Sequence, residues 1–600
     1  MINPSMVAPS REPATTVDHD AESQASMSLC ADLHDLVGEV LSQIPRLLML
    51  QDRDPDSAMR GCMHPAYWRD KSSDVADLRR QEAALAFALA WRHPYPGNRW
   101  QGDRQVLHAS LRALGFWYRN QNADGTFDEW YKGEHGYAVT SFSSYAVALT
   151  LHTLGDAVPA DLKEHVVAAL RKCGDWLLTH HDWFKTNHEG VGVAALGAIG
   201  WLLGEDRYRQ AASVQAAEIG RRMHEEGWSR EISGVDIGYT FLIAEYVGMH
   251  AVLNGDRELL ADIAKAYRFA ADFLHPDLTS GAEYGICGNP YFSRVATVIL
   301  APHEPAAAAV LRWMDQPATG PRDTSSTLKD DLRLARYAYQ PLLAAAITAG
   351  ILRRADVDAP EAAEPVKLMF QATDDERWRP AAKLLAVGRP GYAAWAAACH
   401  AGLVRVAFRD GPRFGAVGVD RGYAYDTDGR VYRNARYSLD VEAEYQPGKI
   451  TVTAPLIPCK FVMPPYWARV GLRVATSLPY GPRWSRWLID KYRARKGTAL
   501  NQSAAGVSGG ESPYLLARSV VFHDDHVEIV DSITARNGSI DPAKLHLVLD
   551  GPVRTDGGAA PNVDRRIPVA DLNVRTDGST LTIHKHIRLA ADHIEVSIVK

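Results

Sequence analysis

The chain has 600 residues, of which 46% are hydrophobic and 23% are charged, values that are ordinary for a globular protein. Single hydrophobic cores stop growing at about 250–300 residues, so the length excludes one compact domain and predicts at least two. The formal net charge of −6 argues against a nucleic-acid-binding protein, because such proteins normally present a basic face.

Residues 1–28 form a polar stretch with Pro and Ser, a composition that predicts a disordered N-terminal tail. The tail has no basic segment followed by an apolar run, so no signal peptide is expected, and a cytoplasmic location is the corresponding expectation. No run of about 18 apolar residues occurs, so membrane insertion is not expected. The six cysteines are scattered without the spacing of a zinc site or a disulfide scaffold.

Residues 29–358 carry roughly eleven runs of apolar residues at helical spacing, and Gly or Asp often marks the ends of these runs. Short turns between helices make neighbouring helices antiparallel. A long series of such hairpins can bury its apolar faces by closing into a toroid with an inner and an outer ring, or by stacking into an open solenoid.

The pattern changes in the stretch that follows. Residues 359–370 are a linker that begins in a segment rich in Pro, Asp and Glu. From residue 371 to residue 600, short segments alternate apolar and polar residues between Gly, Asp and Pro turns, which predicts an antiparallel β-sandwich. The basic and aromatic segment 461–497 fits neither a clean helix nor a clean strand, and an insertion packed against the toroid is one interpretation.

Four loops between the predicted helices are dense in polar and aromatic residues. Each loop also has a purely structural interpretation, in which Asn187 and Asp236 cap helices, Tyr239 packs, and the first loop is an acidic surface loop anchored by Trp130. The candidate site residues of the four loops, in chain order, are Asp128, Glu129, Trp130, Tyr131, Glu134, His135, Asn187, His188, Asp236, Tyr239, Glu283, Tyr284 and Arg294.

The pair Asn187–His188 at the start of one helix, followed about fifty residues later by Tyr239 at the start of another, resembles the heparinase II/III-like and alginate-lyase-like polysaccharide lyases. Those enzymes have an (α/α) toroid followed by an antiparallel β-sandwich, and the resemblance implies that fold here. It also implies a polysaccharide or oligosaccharide substrate, although such lyases usually meet their polymer outside the cytoplasm. The stretch DGTFDEWYKGEH (124–135) is similar to toroid proteins found with bacterial surface-polysaccharide genes.

Under this resemblance the expected reaction is β-elimination on a uronic acid, without metal or cofactor. The substrate carboxylate must be neutralised so that the charge of the enolate-like intermediate is tolerated, and Asn187 and His188, with Arg294 as a further donor, can do this. Tyr239 can act as general base and general acid. The substrate-binding set is Glu129, Trp130, Tyr131, Glu134, His135, Asp236, Glu283, Tyr284 and Arg294.

Three other functions stay open. A glycoside hydrolase on the same toroid would use two carboxylates that flank the scissile bond. A uronate epimerase would abstract the same proton without cleavage. A non-catalytic protein of polysaccharide export would use the cleft as a binding platform. The identity of the polymer, the end attacked and the oligomeric state do not follow from the sequence. The carboxylates available to a hydrolase are Asp128, Glu129, Glu134, Asp236 and Glu283.

Overall fold

The computed structural model describes most of the chain, in five stretches. The predicted tail and most of the predicted linker lie outside these stretches, so the domain boundaries remain predictions. The described residues are 27–316 without 233, 330–351, 366–459 without 411–412, 428–429 and 435–436, 466–491 without 479, 482–483, 485–486 and 489–490, and 512–598 without 551–552, 556–557, 560–564, 573–574, 577–578 and 590–593.

Helices alone make up the regular structure of the described residues between 27 and 351. The fourteen helices of this part are α1 (Ala31–Leu50), α2 (Pro65–Trp68), α3 (Ala83–Arg92), α4 (Arg104–Arg119), α5 (Tyr137–Leu154), α6 (Ala160–Leu177), α7 (Thr186–Leu203), α8 (Asp206–Arg222), α9 (Ile237–Asn254), α10 (Arg257–Ala271), α11 (Arg294–Leu300), α12 (Pro305–Asp315), α13 (Asp331–Tyr337) and α14 (Tyr339–Thr348), with a few short 3₁₀ turns between them.

Six of these helices form a closed inner ring. In order around the ring, α3, α5, α7, α9, α11 and α14 each pack against the next, and α14 packs against α3 again. Helices α1, α4, α6, α8, α10 and α12 lie outside the ring and pack against its members. The toroid is therefore confirmed, and the open solenoid is excluded because the ring closes.

The inner helices are buried on nearly every side, which explains their composition. Helix α7 reads TNHEGVGVAALGAIGWLL, and its small residues let neighbouring helices approach closely. A Cβ atom placed on Gly192 would lie only 2.1 Å from the hydroxyl oxygen of Tyr137. The outer helices instead bury one stripe, as amphipathic helices on a surface do.

The second part of the chain forms two nine-stranded sheets. The first has the order β1-β2-β3-β4-β5-β12-β15 with β6 and β9 at the side, and the second has the order β14-β13-β18-β17-β11-β10-β8-β7 with β16 on β17. Every pairing among the described strands is antiparallel except β13 with β18. The strands are β1 (Asp375–Arg379), β2 (Leu384–Gly388), β3 (Tyr392–Ala397), β4 (Leu403–Asp410), β5 (Arg413–Thr427), β6 (Arg430–Arg433), β7 (Glu442–Gln446), β8 (Lys449–Pro455), β9 (Ile457–Cys459), β10 (Tyr514–Phe522), β11 (His526–Ala535), β12 (Leu545–Asp550), β13 (Val553–Thr555), β14 (Gly558–Ala559), β15 (Arg565–Pro568), β16 (Arg575–Thr576), β17 (Thr580–Leu589) and β18 (Ile594–Ile598).

The first sheet lies between the toroid and the second sheet. One of its faces shares a core with the toroid, and its other face packs on the second sheet. Both faces of β2 and β3 are therefore buried, which suits their small apolar residues. Polar contacts join the toroid to this sheet: Nε1 of Trp395 donates to the carbonyl oxygen of Asp272 at 3.1 Å, and the N–H of Val235 donates to the Tyr437 hydroxyl at 2.7 Å.

The segment that matched neither a helix nor a strand contains helix α15 (Tyr466–Ser477) in its described part. An ion pair between Arg473 and Asp74, at 2.8 Å, connects α15 to the toroid. Among the described helices, none combines the length and the apolar character that a membrane crossing requires.

Candidate functional site

A cleft opens at the end of the inner ring where α7 and α9 begin. Its volume is about 230 Å³. All three residues predicted to be catalytic, Asn187, His188 and Tyr239, line it. The full lining is Arg79, Phe142, Asn187, His188, Tyr239, Leu242, Asn289, Pro290, Tyr291, Leu332, Arg333, Arg336 and Tyr337.

Asn187 is held in the wall of the cleft by a carboxyl group. Its backbone N–H and its Nδ2 each donate to one oxygen of Glu231, both at 2.6 Å. Burial, with a smaller contribution from the nearby Asp236, raises the pKa of Glu231 to about 8, against the opposing effect of the two hydrogen bonds from Asn187. An amide nitrogen carries two hydrogens, so Glu231 orients the side chain while one N–H of Asn187 stays available to a ligand.

His188 forms a pair with Asp182. Nδ1 of His188 lies 2.7 Å from Oδ2 of Asp182, and Nε2 makes no hydrogen bond to a described residue. Burial lowers the pKa of His188, and the hydrogen bond to Asp182 opposes this effect. The ring is therefore neutral at neutral pH. A proton on Nδ1, facing the carboxylate, leaves the lone pair of Nε2 available as a base.

Tyr239 lies in the first turn of α9 and lines the cleft. Its backbone N–H donates to Oδ1 of Asp236 at 3.0 Å, so Asp236 is the N-cap of α9. The Tyr239 hydroxyl forms no hydrogen bond within the described part of the chain. Burial raises the pKa of this phenol, and the thiol of Cys287 and the carboxyl of Asp236 add to the shift. The free protein therefore keeps Tyr239 protonated.

Two arginines supply positive charge to the cleft. The guanidinium of Arg79 stacks 3.5 Å from the ring centre of Phe142 and donates to Glu82 at 2.8 Å. Arg336 donates from one terminal nitrogen to Asp77 and Glu129, each at 2.6 Å. Nε of Arg336 is buried and has no hydrogen-bond partner among the described residues. Because that atom is inaccessible to solvent, a ligand in the cleft would meet the positive charge of Arg336 rather than this donor.

One residue, Glu129, connects the loop 124–135 to the cleft. Glu129 is buried and joins the cleft by its contact with Arg336. The carboxylate of Glu134 accepts from the backbone N–H groups of Glu129 and Trp130, both at 2.8 Å, and burial raises its pKa to about 7. Nδ1 of His135 lies 2.6 Å from Asp124. These contacts stabilise the loop itself.

The same loop also carries the aromatic residues Trp130 and Tyr131. Trp130 is 72% exposed, and Tyr131 is half-buried; neither lines the cleft. Asp128 accepts from the backbone N–H groups of Gly133 and His135, at 2.7 and 3.0 Å. A role for these residues in ligand binding stays a prediction.

Three further predicted residues lie away from the cleft. Glu283 accepts from Arg405 of the first sheet at 2.5 Å, and the buried Tyr284 hydroxyl lies 3.0 Å from Nε2 of His275. Arg294 donates through Nε to Asp32 at 2.6 Å, which ties α11 to α1. The structure therefore brings Asn187, His188 and Tyr239 together, and it places Glu283, Tyr284 and Arg294 in contacts between elements.

Sequence reasoning did not single out Asp182, Glu231, Arg79 and Arg336. Asp182 and Glu231 stand in the polar loops that it identified, six and five residues away from His188 and Asp236. A carboxyl group within a few residues of a candidate His or Asp was a usable signal for both. The sequence contains no such signal for Arg79 and Arg336, because only closure of the ring brings them to the same cleft.

Residues 97–286 match the family model described as the Ulvan lyase N-terminal domain. The match covers about a third of the chain and includes the loops that carry Asn187, His188 and Tyr239. No curated protein matches the sequence significantly.

Solved structures of polysaccharide lyases share the fold. Chondroitin AC lyase of Streptomyces coelicolor A3, in complex with chondroitin sulphate, is 12% identical with a TM-score of 0.52, and the match covers 86% of this chain and 68% of that chain. A Paenibacillus xanthan lyase is 11% identical with a TM-score of 0.49, over 93% of this chain and 51% of that one. Heparinase III is 11% identical with a TM-score of 0.48, over 96% and 80%. The likeness to chondroitin AC lyase shows the fold, and the match to the ulvan lyase domain carries the resemblance to polysaccharide lyases. The predicted resemblance is confirmed at that level.

Proposed function

We propose that the protein cleaves a uronic-acid-containing polysaccharide by β-elimination in the cleft of the toroid. The observation that carries the proposal is the lining of one cleft by Asn187, His188 and Tyr239 together with Arg336. The match of residues 97–286 to an ulvan lyase domain supports it. The toroid fold alone does not support the proposal, because one fold can have many functions.

Neutralisation of the substrate carboxylate falls to Asn187 and Arg336 in this proposal. The second N–H of Asn187 and the guanidinium of Arg336 can each donate to a carboxylate bound in the cleft. Both hydrogen bonds become stronger as negative charge develops on the carboxylate, which is how preorganised donors accelerate a reaction.

The proton steps are divided between His188 and Tyr239. Nε2 of His188 takes the proton from the ring carbon that bears the carboxylate. The electron pair then forms the double bond to the next ring carbon and expels the glycosidic oxygen, which takes a proton from the Tyr239 hydroxyl. The sequence interpretation gave both steps to Tyr239. The raised pKa of Tyr239 favours the acid role, and the neutral ring of His188, oriented by Asp182, favours the base role.

The proposal is tested by incubating the protein with ulvan, chondroitin sulphate, heparan sulphate, xanthan and alginate. Ultraviolet absorbance of the product and the number of new reducing ends are both followed. Elimination yields an absorbing double bond for each chain cleaved, whereas hydrolysis yields reducing ends without absorbance. Epimerisation and mere binding yield neither.

A matched variant makes the test specific to the cleft. Tyr239→Phe keeps the aromatic ring and removes the hydroxyl, and it should abolish most of the absorbance change on whichever polymer is cleaved. Reducing ends without absorbance on any polymer would refute the proposal in favour of a hydrolase. Absorbance that Tyr239→Phe and His188→Gln both leave intact would place the chemistry elsewhere in the molecule.

A further inference from the structure

The outer face of the second sheet carries a cluster of histidines around one carboxylate. Strands β11 and β17 pair antiparallel, with Glu528 opposite His586 and Val530 opposite His584. Since alternate residues of a strand share a face, Glu528, His584 and His586 lie on the same face. Their neighbours in the two strands point the other way, into the core between the sheets.

The side chains of the cluster converge on Glu528. Nε2 of His584 lies 2.5 Å from Oε1 of Glu528, and Nε2 of His586 lies 4.0 Å from the same oxygen. Nε2 of His523, in the turn between β10 and β11, lies 3.0 Å from Oε2. One ligand atom of Glu528, of His584 and of His586 can be chosen so that all three lie within 4.8 Å of one another.

This spacing is close to that of a metal site. Zinc in proteins is held tetrahedrally by His nitrogen and carboxylate oxygen at about 2.0–2.2 Å, which separates the ligand atoms by roughly 3.3–3.6 Å. Rotations of the side chains that move these atoms by about 1 Å therefore complete the coordination. The strand pairing already fixes the backbone, so little conformational freedom remains to be lost on binding.

An ordinary surface ion pair is the alternative explanation. Glu528 carries one negative charge, and a single His⁺ would neutralise it, whereas three imidazole Nε2 atoms face it. The ring of His526 also stacks on His523, with ring centres 4.4 Å apart, and lies 4.9 Å from that of His586. A row of imidazoles on one carboxylate is the donor set that divalent transition metals prefer.

We propose that Glu528, His584 and His586 bind a divalent transition-metal ion of the Zn²⁺ class, with the fourth position left to water. The ion would link β11 and β17. The first sheet separates the second sheet from the toroid, so this site is distinct from the cleft and independent of the proposed elimination.

The test uses the full chain without a polyhistidine tag, stripped of metal with a chelator and then titrated with Zn²⁺ by calorimetry. We expect one equivalent to bind with a Kd of roughly 1 μM or tighter, and Zn²⁺ to raise the midpoint of thermal unfolding, because a ligand that binds only the folded state stabilises it. Co²⁺ should give the visible absorption of a tetrahedral site.

The variants are chosen to separate coordination from folding. His584→Gln combined with His586→Gln should weaken Zn²⁺ binding at least about 100-fold and remove the Zn²⁺-dependent rise in the unfolding midpoint, since two of the three protein ligands are lost. Glu528→Gln gives a second, milder variant if the double variant folds poorly. His108→Gln, an exposed histidine of the toroid, is the control and should bind Zn²⁺ as the wild type does. Absence of stoichiometric binding, or equal binding in the wild type and the folded double variant, would overturn the proposal.

Discussion

Oδ2 of Asp182 lies 2.7 Å from Nδ1 of His188, at the start of the buried helix α7. This contact orients the ring so that Nε2, which has no partner among the described residues, is the nitrogen left for a ligand in the cleft. The carboxylate of Asp182 also stabilises the positive charge that His188 acquires on taking a proton. A base held by a third group is the arrangement that general-base catalysis requires.

The first prediction concerns the pH dependence of the elimination. If neutral His188 is the base, activity falls as the pH drops through the pKa of His188, which burial lowers below its ordinary value of about 6.5. Asp182→Asn removes the negative charge that raises this pKa, so the acidic limb should move to lower pH while the maximal rate decreases. The profile is measured as initial rate against pH. Asp262→Asn, at an exposed position, should leave the profile unchanged, and an unchanged acidic limb in Asp182→Asn would remove His188 from the base role.

The second prediction concerns the Tyr239 hydroxyl. Tyr239→Phe should lower turnover by about 10²–10⁴-fold, the usual contribution of a general acid or base, with little change in polymer affinity, because the ring remains. Tyr337→Phe is the matched control in the same cleft and should reduce turnover only mildly. Single-turnover rates and binding measured by fluorescence separate the two effects. Near-normal elimination by Tyr239→Phe would end its assignment as the acid.

The architecture was predictable because its signals are periodic. Helical spacing over 29–358 and alternation after 371 identified both parts, and the capping role of Asp236 followed from its position before α9. Strands β2 and β3 were not predicted individually, because LLAVG and YAAWAA are apolar throughout and show no alternation. A strand that is buried on both faces has no alternation, and its composition is also that of a buried helix.

The site was predictable only in part. Asn187, His188 and Tyr239 each stand at a helix start next to a polar loop, so local patterns identified them. Arg336 forms its contacts with Asp77 and Glu129 across more than two hundred residues, and no local pattern contains that information. The purely structural interpretation of the first loop explains the positions of Glu134 and His135, because their hydrogen bonds lie within that loop.

The third prediction tests the carboxylate-binding role of Arg336. Arg336→Lys keeps the positive charge that faces Asp77 and Glu129 but lacks the planar guanidinium donor. We expect kcat/KM to fall by roughly 10–100-fold, the effect of one hydrogen bond to a charged group. Arg80→Lys, which alters a partner of Asp77 outside the cleft lining, is the matched control. Equal kcat/KM values for the two variants would show that the donor plays no part in the reaction.

The fourth prediction separates stability from catalysis at Arg294. Its ion pair with Asp32 is buried, with the Asp32 side chain fully inaccessible. Arg294→Ala should therefore destabilise the protein by about 3–5 kcal/mol, as expected when one partner of a buried pair is removed, and should leave kcat/KM of the folded protein near the wild-type value. Arg46→Ala breaks the exposed pair with Asp331 and should cost no more than about 1 kcal/mol. A large loss of kcat/KM at unchanged stability would instead restore Arg294 to the substrate-binding set.

The fifth prediction follows from the buried carboxyl group of Glu245 in α9. Burial raises its pKa to about 7, although the hydroxyl of Ser293 donates to Oε2 at 2.6 Å and Nε2 of Gln340 donates to Oε1 at 3.2 Å. The unfolded chain releases this proton near the ordinary pKa of about 4.3, so between that value and about 7 the folded protein binds more protons than the unfolded chain. The stability contributed by Glu245 is therefore largest at low pH and is lost as the pH rises through this window.

Glu245→Gln tests this linkage because the amide is uncharged at every pH and has nearly the same shape. The wild-type protein should become less resistant to urea between about pH 5 and about pH 8, and Glu245→Gln should show a smaller decrease over the same interval. Glu82, Glu134, Glu231 and Asp236, whose pKa values burial also raises, contribute to the remaining decrease. Glu258→Gln, at an exposed position of α10, should follow the wild-type curve. Urea midpoints that decrease equally in the wild type and in Glu245→Gln would mean that Glu245 is already ionised in the folded protein at pH values near 5. The hydrogen bonds from Tyr291, Ser293 and Gln340 would then outweigh the cost of burying the charge.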